Sequence, residues 1–246
     1  MTDRSKLVDE TLLKLANTRE SEEIRAVAFE YFKTLDVQMI SYHHLPPIGA
    51  PDQGELLLET EGFPPDLLKR YIRDKLFLID PIPIHAQKTT VPFKWSEIGK
   101  LTNLKPEQKA LMKEFIKAGL GDGYAFQVFG PGGRNGVFGF GWRNTGRTFK
   151  QTMLNEIRCV CQAVHLRYCE SLEQKIPAAI GLSNRERQVL EWVARGKSNA
   201  DIATIMGVSA HTVDAYLRRI FLKLGTTDRV TAAIRGVGTG IITGVI

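Results

Sequence analysis

Apolar residues recur at helical spacing through the first 35 positions. Leu7, Val8, Leu12 and Leu15 share one face, and Ile24, Val27, Ala28, Tyr31 and Phe32 share another, which predicts two amphipathic helices. The period then shortens. Val37–His44, rich in branched and aromatic residues, reads as a strand. Leu45–Gly54, with three prolines and two glycines, reads as a loop, and Glu55–Thr60 as a second strand. Pro64 and Pro65 open a helix that reaches Lys75, because proline is tolerated in a first helical turn. Asp80-Pro81-Ile82-Pro83 reads as extended chain or turn, since a residue before proline avoids the helical region. Lys105–Ala118 is again helical. Tyr124–Phe129 and Gly136–Trp142 are strands joined by the glycine-rich turn Gly130–Asn135. Thr148 and Gln151 have capping-box spacing at the start of a long helix reaching about Leu172. Helices flanking strands in this order predict an α-β-α sandwich around a mixed or antiparallel sheet, within an α+β chain.

Glu173–Gly181 breaks the pattern and reads as a linker between domains spanning 1–172 and 182–246. The second domain is different in kind. Nine basic residues face five acidic ones there, so it carries most of the chain's net charge of +6. Polar caps recur in quick succession: Ser183 with Glu186, Ser198 with Asp201, and Ser209 after Met206-Gly207-Val208. Short helices joined through a glycine turn are the helix-turn-helix layout. In its third helix Val213, Leu217, Ile220 and Leu224 form an apolar back. His211, Asp214, Ala215, Arg218 and Arg219 form the opposite face, suited to a major groove. Arginine forks pair bidentately with guanine. Asp214 either accepts from a cytosine amino group or orients Arg218 one turn on. Lys197, Ser198 and Thr212 are placed for phosphates, which fix register without reading sequence. A merely solvated basic face would leave the caps, the turn and the bare arginines unexplained together.

The 246 residues are 43% hydrophobic and 24% charged, enough apolar content for a buried core. No apolar run approaches the roughly 18–20 residues of a membrane helix, and the mixed-charge start is no secretory signal. The expectation is a cytoplasmic protein with no membrane partner. Cys161, His165 and Cys169 fall on one helical stripe. A fourth ligand and zinc-like spacing are missing, so the stripe reads as a buried apolar face rather than a metal site, and no metal is expected.

The segment Leu182–Ile234 resembles the LuxR-type DNA-binding domain over nearly its whole length. The matching parts are Leu182-Ser183-x-Arg185-Glu186, Gly196-Lys197-Ser198, Ile202-Ala203, Ser209-x-x-Thr212-Val213 and Lys223-Leu224-Gly225 with Arg229. Asp201 and Tyr216 depart from the family's usual Glu and His. The resemblance implies an all-α four-helix domain whose third helix enters the major groove. Its fourth, about Asp228–Val237, contributes to a homodimer.

Residues 1–172 resemble the autoinducer-binding domain of quorum-sensing LuxR regulators, through Tyr71, Asp80-Pro81 and Trp95 at the family's spacing. The resemblance implies a ligand site of Phe63, Leu67, Tyr71, Asp80, Trp95 and Gly139. There Asp80 accepts from an amide N–H, Tyr71 donates to a carbonyl and Trp95 walls the head group. Read without the family, Asp80 caps a turn, Tyr71 is an amphipathic-helix residue and Trp95 is core. Two positions depart: Leu67 stands where the family has an indole donor, and Gly139 lacks the hydroxyl often found there. An acyl-homoserine lactone held chiefly by Asp80 and its tail, or another apolar signal, is expected. The expected partners are double-stranded DNA at an inverted repeat, a small-molecule signal, a second copy of the chain and RNA polymerase, with no cofactor. One alternative is a pocket that is empty or filled by core side chains, with constitutive DNA binding. Another is an enzyme using Tyr71, Asp80 and His85, which no catalytic motif supports.

Overall fold

The computed structural model describes residues 3–144, 146–175 and 181–242. It divides into two compact units. One gathers Met1–Leu45, Leu56–Pro131 and Asn135–Ser171; the other gathers Pro46–Glu55, Gly132–Arg134 and Leu172–Ile246. Of the linker expected at 173–181, residues 173–175 instead continue the preceding long helix, and residues 176–180 lie outside the described residues.

The first unit opens with helices α1 (Asp3–Ala16) and α2 (Ser21–Thr34), followed by strands β1 (Met39–Leu45) and β2 (Leu58–Glu61). Next come α3 (Pro65–Arg73), α4 (Pro81–Ala86), β3 (Phe93–Lys94), α5 (Ile98–Leu101) and α6 (Pro106–Lys117). Strands β4 (Asp122–Val128) and β5 (Asn135–Trp142) and the long helix α7 (Gln151–Lys175) complete it. The sheet order is β2-β1-β5-β4-β3, and every pairing is antiparallel.

Alternation along the strands builds two cores, because successive side chains point to opposite faces. Ile40, Tyr42, Tyr124, Phe126, Phe138, Phe140 and Trp142 pack with residues of α1, α2 and α7. Met39, Ala125 and Val137 face the other way, toward residues of α3–α6. The sandwich is the expected one.

Three local readings differ. Asp80–Pro83 is not extended: Pro81 starts α4, and the Asp80 side chain accepts from the Ile82 N–H as its N-cap. Proline at N1 fits a helix whose preceding residue stays outside it, so the rule against helix before proline was satisfied by Asp80 alone. Strand β2 starts at Leu58 rather than Glu55. The Thr148–Gln151 capping box is absent from the described hydrogen bonds; Lys94 donates to the Thr148 hydroxyl and Gln151 donates to Asn155.

The second unit contains α8 (Asn184–Ala194), α9 (Asn199–Met206), α10 (Ala210–Leu224) and α11 (Arg229–Gly238). All three serine caps form: Ser183 and Ser198 in reciprocal boxes with Glu186 and Asp201, and Ser209 accepting from Thr212. Val189, Leu190, Ile202, Val213, Leu217, Ile220 and Leu224 make the core. Glu186, 2% exposed, accepts from Lys223 at 2.6 Å, tying the start of α8 to the end of α10. Asp52 and Arg134 form a second buried pair, bidentate at 2.7 and 3.0 Å.

Burial pushes the Glu186 carboxyl up, but the Lys223 ammonium and the Ser183 N–H and hydroxyl outweigh it and hold it below its ordinary value. The pair therefore stabilises the unit at neutral pH, and that contribution is lost as pH falls through the folded-state value. Glu186→Gln should cost on the order of 2 kcal/mol, below the range for a fully buried pair because Lys223 reaches solvent. Urea unfolding of the full chain followed by circular dichroism checks this; equal midpoints for the two proteins would contradict it.

Candidate functional site

Between the sheet face of β1, β4 and β5 and helices α3–α6 lies a cavity of about 470 Å³, within the range of roughly 300–1,000 Å³ typical of small-molecule sites. All six residues expected at the ligand line it: Phe63, Leu67, Tyr71, Asp80, Trp95 and Gly139. Leu67 and Tyr71 are one turn apart on α3, which places both on its inner face. The walls are mainly apolar, with Leu58, Phe115 and Val137 among them.

Asp80 is the cavity's acidic group. It is 6% exposed, accepts from the Ile82 N–H at 2.9 Å and accepts from the Tyr71 hydroxyl at 2.9 Å. The cap role and the site role thus coexist in one carboxylate. Tyr71, expected to reach a ligand carbonyl, donates instead to Asp80 here. Burial pushes the Asp80 carboxyl up to about 6, the two hydrogen bonds opposing it only in part. Burial and the adjacent carboxylate push the Tyr71 hydroxyl well above its usual value.

Trp95 follows β3 and lies against the strand backbones. A Cβ on Gly141 would come within 2.6 Å of the indole ring, and one on Gly139 within 3.4 Å. The ring is clamped from the next residue, because Ser96 donates its N–H and hydroxyl to Asp122 at 3.0 and 2.8 Å. The Trp95 indole nitrogen is buried without a hydrogen-bond partner. A buried N–H left unpaired is costly, and this one belongs to a side chain that lines a cavity.

A hydroxyl lies beside Gly139 on the neighbouring strand. Ser41 is its register partner on β1, and a Cβ at Gly139 would sit 2.6 Å from the Ser41 Oγ. Gly139 is therefore the space Ser41 occupies. His43, two residues on and on the same face, also lines the cavity. Burial lowers its pKa to about 4, so it is a neutral imidazole at neutral pH, with one donor and one acceptor nitrogen. Sequence reasoning missed both. The available signal was polar residues on each face of a single strand: Ser41 and His43 on one side, Tyr42 and His44 on the other.

In the helix-turn-helix, Gly207 ends α9 in the left-handed region at φ 64°, and α10 presents the expected face. Arg218 and Arg219 are exposed, as are Lys197 and Ser198. Asp214 accepts from Arg218 at 2.6 Å, the orienting role left open above. The Arg219 guanidinium stacks over the Tyr216 ring at 5.2 Å. Ala215 is half-buried between them, and the Thr212 hydroxyl pairs with Ser209.

An apolar cavity with a few inward polar groups, in a chain that also carries an arginine-faced helix-turn-helix, defines a ligand-responsive transcription regulator. The autoinducer binding domain family matches residues 20–168, and the family described as bacterial regulatory proteins, luxR family, matches residues 181–235. The chain belongs to the LuxR family of quorum-sensing transcriptional regulators. It is 30% identical over 188 residues to the putative HTH-type transcriptional regulator y4qH of Sinorhizobium fredii, covering 75% of this chain and 56% of that one. It is 25% identical over 229 residues to the transcriptional activator protein AnoR of Acinetobacter nosocomialis, covering 91% and 94%. Its fold is similar to SdiA solved in complex with octanoyl-rac-glycerol, with a TM-score of 0.76 at 19% identity over 98% of this chain and 97% of that one. Among the described residues no helix is long and apolar enough to cross a membrane.

A carboxyl whose folded-state pKa is raised costs stability above that value, and the cost fades as pH falls toward the unfolded-state value near 3.8. Two units correspond to roughly 3 kcal/mol. Asp80→Asn keeps an acceptor for Ile82 and removes the charge. Without ligand, the variant should melt at or above the wild type at pH 7.5, and its relative advantage should shrink as pH falls to 4. A variant less stable at both pH values by the same amount would contradict this reading of Asp80.

Proposed function

We propose that the chain binds a medium-chain acyl signal in the 470 Å³ cavity and, as a homodimer, binds an inverted-repeat operator and engages RNA polymerase. The observation that carries this reading is a mainly apolar cavity whose wall holds a desolvated acceptor, Asp80, together with the polar side chains of Tyr71, Ser41 and His43. A head group with one N–H or O–H donor and one carbonyl acceptor answers Asp80 with the first and Ser41 or His43 with the second. An acyl-homoserine lactone has that chemistry, and its tail adds buried apolar area at about 25 cal/mol per Å². SdiA, whose fold is similar, was solved in complex with octanoyl-rac-glycerol, an eight-carbon acyl chain on a hydroxyl-bearing head, which supports the same ligand class here. The unfilled volume favours a ligand over a pocket plugged by the chain's own side chains.

Leu67 removes the usual indole donor, and Ser41 and His43 stand in for the lost polar contacts. Asp80 and Trp95 hold the head, Tyr71 and Ser41 line the carbonyl side, and Phe63 and Leu67 pack on the ligand. Occupancy favours the DNA-competent state by as much as the ligand's affinities for the two states differ. On α10, Arg218 and Arg219 read bases beside Asp214 and Ala215, while Lys197, Ser198 and Thr212 meet phosphates.

Because the ligand N–H needs an ionised acceptor, affinity for N-octanoyl-homoserine lactone should be steady at pH 7–8. It should fall several-fold between pH 6.5 and 5, tracking Asp80. His43→Phe should weaken the lactone about tenfold. Calorimetry over this range tests both, and pH-independent binding unchanged by Asp80→Asn sinks the site.

On DNA, Arg218→Ala should lose roughly 1–3 kcal/mol on the operator and little on random duplex, whereas Lys197→Ala weakens both alike. Equal losses from Arg218→Ala on the two duplexes would remove it from base reading.

A further inference from the structure

The face of the sheet away from the cavity holds a second polar group, inside the core formed with α7. Tyr42 and His44 project from β1, and His165 and Cys169 from α7. His44 is 3% exposed, and His165 and Cys169 are at 0%. The Tyr42 hydroxyl lies 2.7 Å from the His165 Nδ1 and 3.2 Å from the His44 Nδ1. The His165 Nε2 faces the Cys169 Sγ at 3.6 Å. One ligating atom from each of His44, His165 and Cys169 lies within 4.8 Å of the others. The stripe noted in the sequence thus splits. Cys161 joins the apolar core, whereas His165 and Cys169 meet a third potential ligand from a strand more than 100 residues away.

Space for the group is built into the backbone. Gly136, the register partner of His44 on β5, faces it, and a Cβ there would come within 2.8 Å of the Tyr42 ring and 3.1 Å of the His165 Nδ1. Two imidazoles and a thiol are a soft donor set, suited to thiophilic cations rather than Mg²⁺ or Ca²⁺. With metal–nitrogen and metal–sulfur bonds of about 2.0 and 2.3 Å, trigonal ligands stand roughly 3.7 Å apart. The His165–Cys169 separation already matches this, and all three ligand atoms lie within 4.8 Å of one another. No fourth histidine, cysteine or carboxylate joins the group among the described residues.

We propose that His44, His165 and Cys169 form a three-coordinate site for a monovalent soft cation, Cu⁺, which pins β1 to α7. The charge balance selects Cu⁺ over Zn²⁺. A thiolate and a monovalent ion sum to zero among neutral imidazoles, whereas a divalent ion leaves a net charge in a buried core and, among the described residues, finds no fourth protein ligand. On binding, the Cys169 sulfur gives up its proton to solvent and forms the Cu–S bond; copper keeps its oxidation state. The Tyr42 oxygen accepts an Nδ1–H, orienting a ring so that its other nitrogen faces the ion, the outer-shell arrangement common to ligating histidines.

The test is anaerobic equilibration of the reduced full-length protein with Cu⁺ held by bicinchoninate, read by loss of the chelate's colour. One equivalent of copper should pass to the wild type. Cys169→Ser and His44→Gln should each lower affinity at least tenfold and Tyr42→Phe several-fold. Cys161→Ser, a buried thiol on the same helix, should leave it unchanged. X-ray absorption of the loaded protein should show two nitrogens and one sulfur. The proposal is overturned if the wild type takes no copper from the chelator or if Cys161→Ser or Cys159→Ser abolishes binding. Zn²⁺ held stoichiometrically by the same residues while Cu⁺ is refused also overturns it. The wild-type measurement decides even if a variant fails to fold, and none of the outcomes depends on the acyl signal.

Discussion

Asp80 is a carboxylate held in an apolar wall by two neutral donors, a backbone N–H and a phenol. Neither brings positive charge, so desolvation prevails and the group sits about two units above an exposed aspartate. The rest of the sensor follows from that imbalance. Asp80 caps α4, so the residue that most needs a further donor also sets the backbone of the cavity rim. Trp95 lines the same cavity, its indole nitrogen buried without a partner. The cavity thus has in its apolar wall a carboxylate whose two neutral donors leave its charge uncompensated.

Glu186 shows the opposite solution to the same problem. It is as buried as Asp80, but Lys223 and the Ser183 cap hold its carboxyl below the ordinary range. That acid fixes a helical core whose shape must be ready for DNA. Asp80 carries a standing cost at neutral pH that fades on protonation. One chain thus contains a buried acid compensated by a cation and another compensated by neutral donors alone, and the sign of the pKa shift separates them.

Much of this was legible in the residues. Amphipathic periods marked the helices, and serine caps marked the starts of α8, α9 and α10 to within a residue. The spacing of Tyr71, Asp80 and Trp95, read with the family resemblance, gathered residues that the structure brings to one cavity. What stayed hidden depended on strand pairing. Only the register Ser41–Gly139 shows that a glycine read as a missing hydroxyl makes room for one. Only the face of β1 shows that His43 turns to the cavity while His44 turns to His165 and Cys169. Local rules also competed at Asp80, where the residue before proline is non-helical but serves as the cap of a helix that proline begins.

The most direct test of the central claim is the titration of the Asp80 carboxyl carbon by ¹³C NMR, with and without N-octanoyl-homoserine lactone. The free protein should titrate near pH 6, and the bound protein at least one unit lower, as a donated N–H favours the ionised form. An Asp80 that titrates like an exposed aspartate in the free protein, or whose midpoint stays fixed when the lactone is bound, would contradict the account.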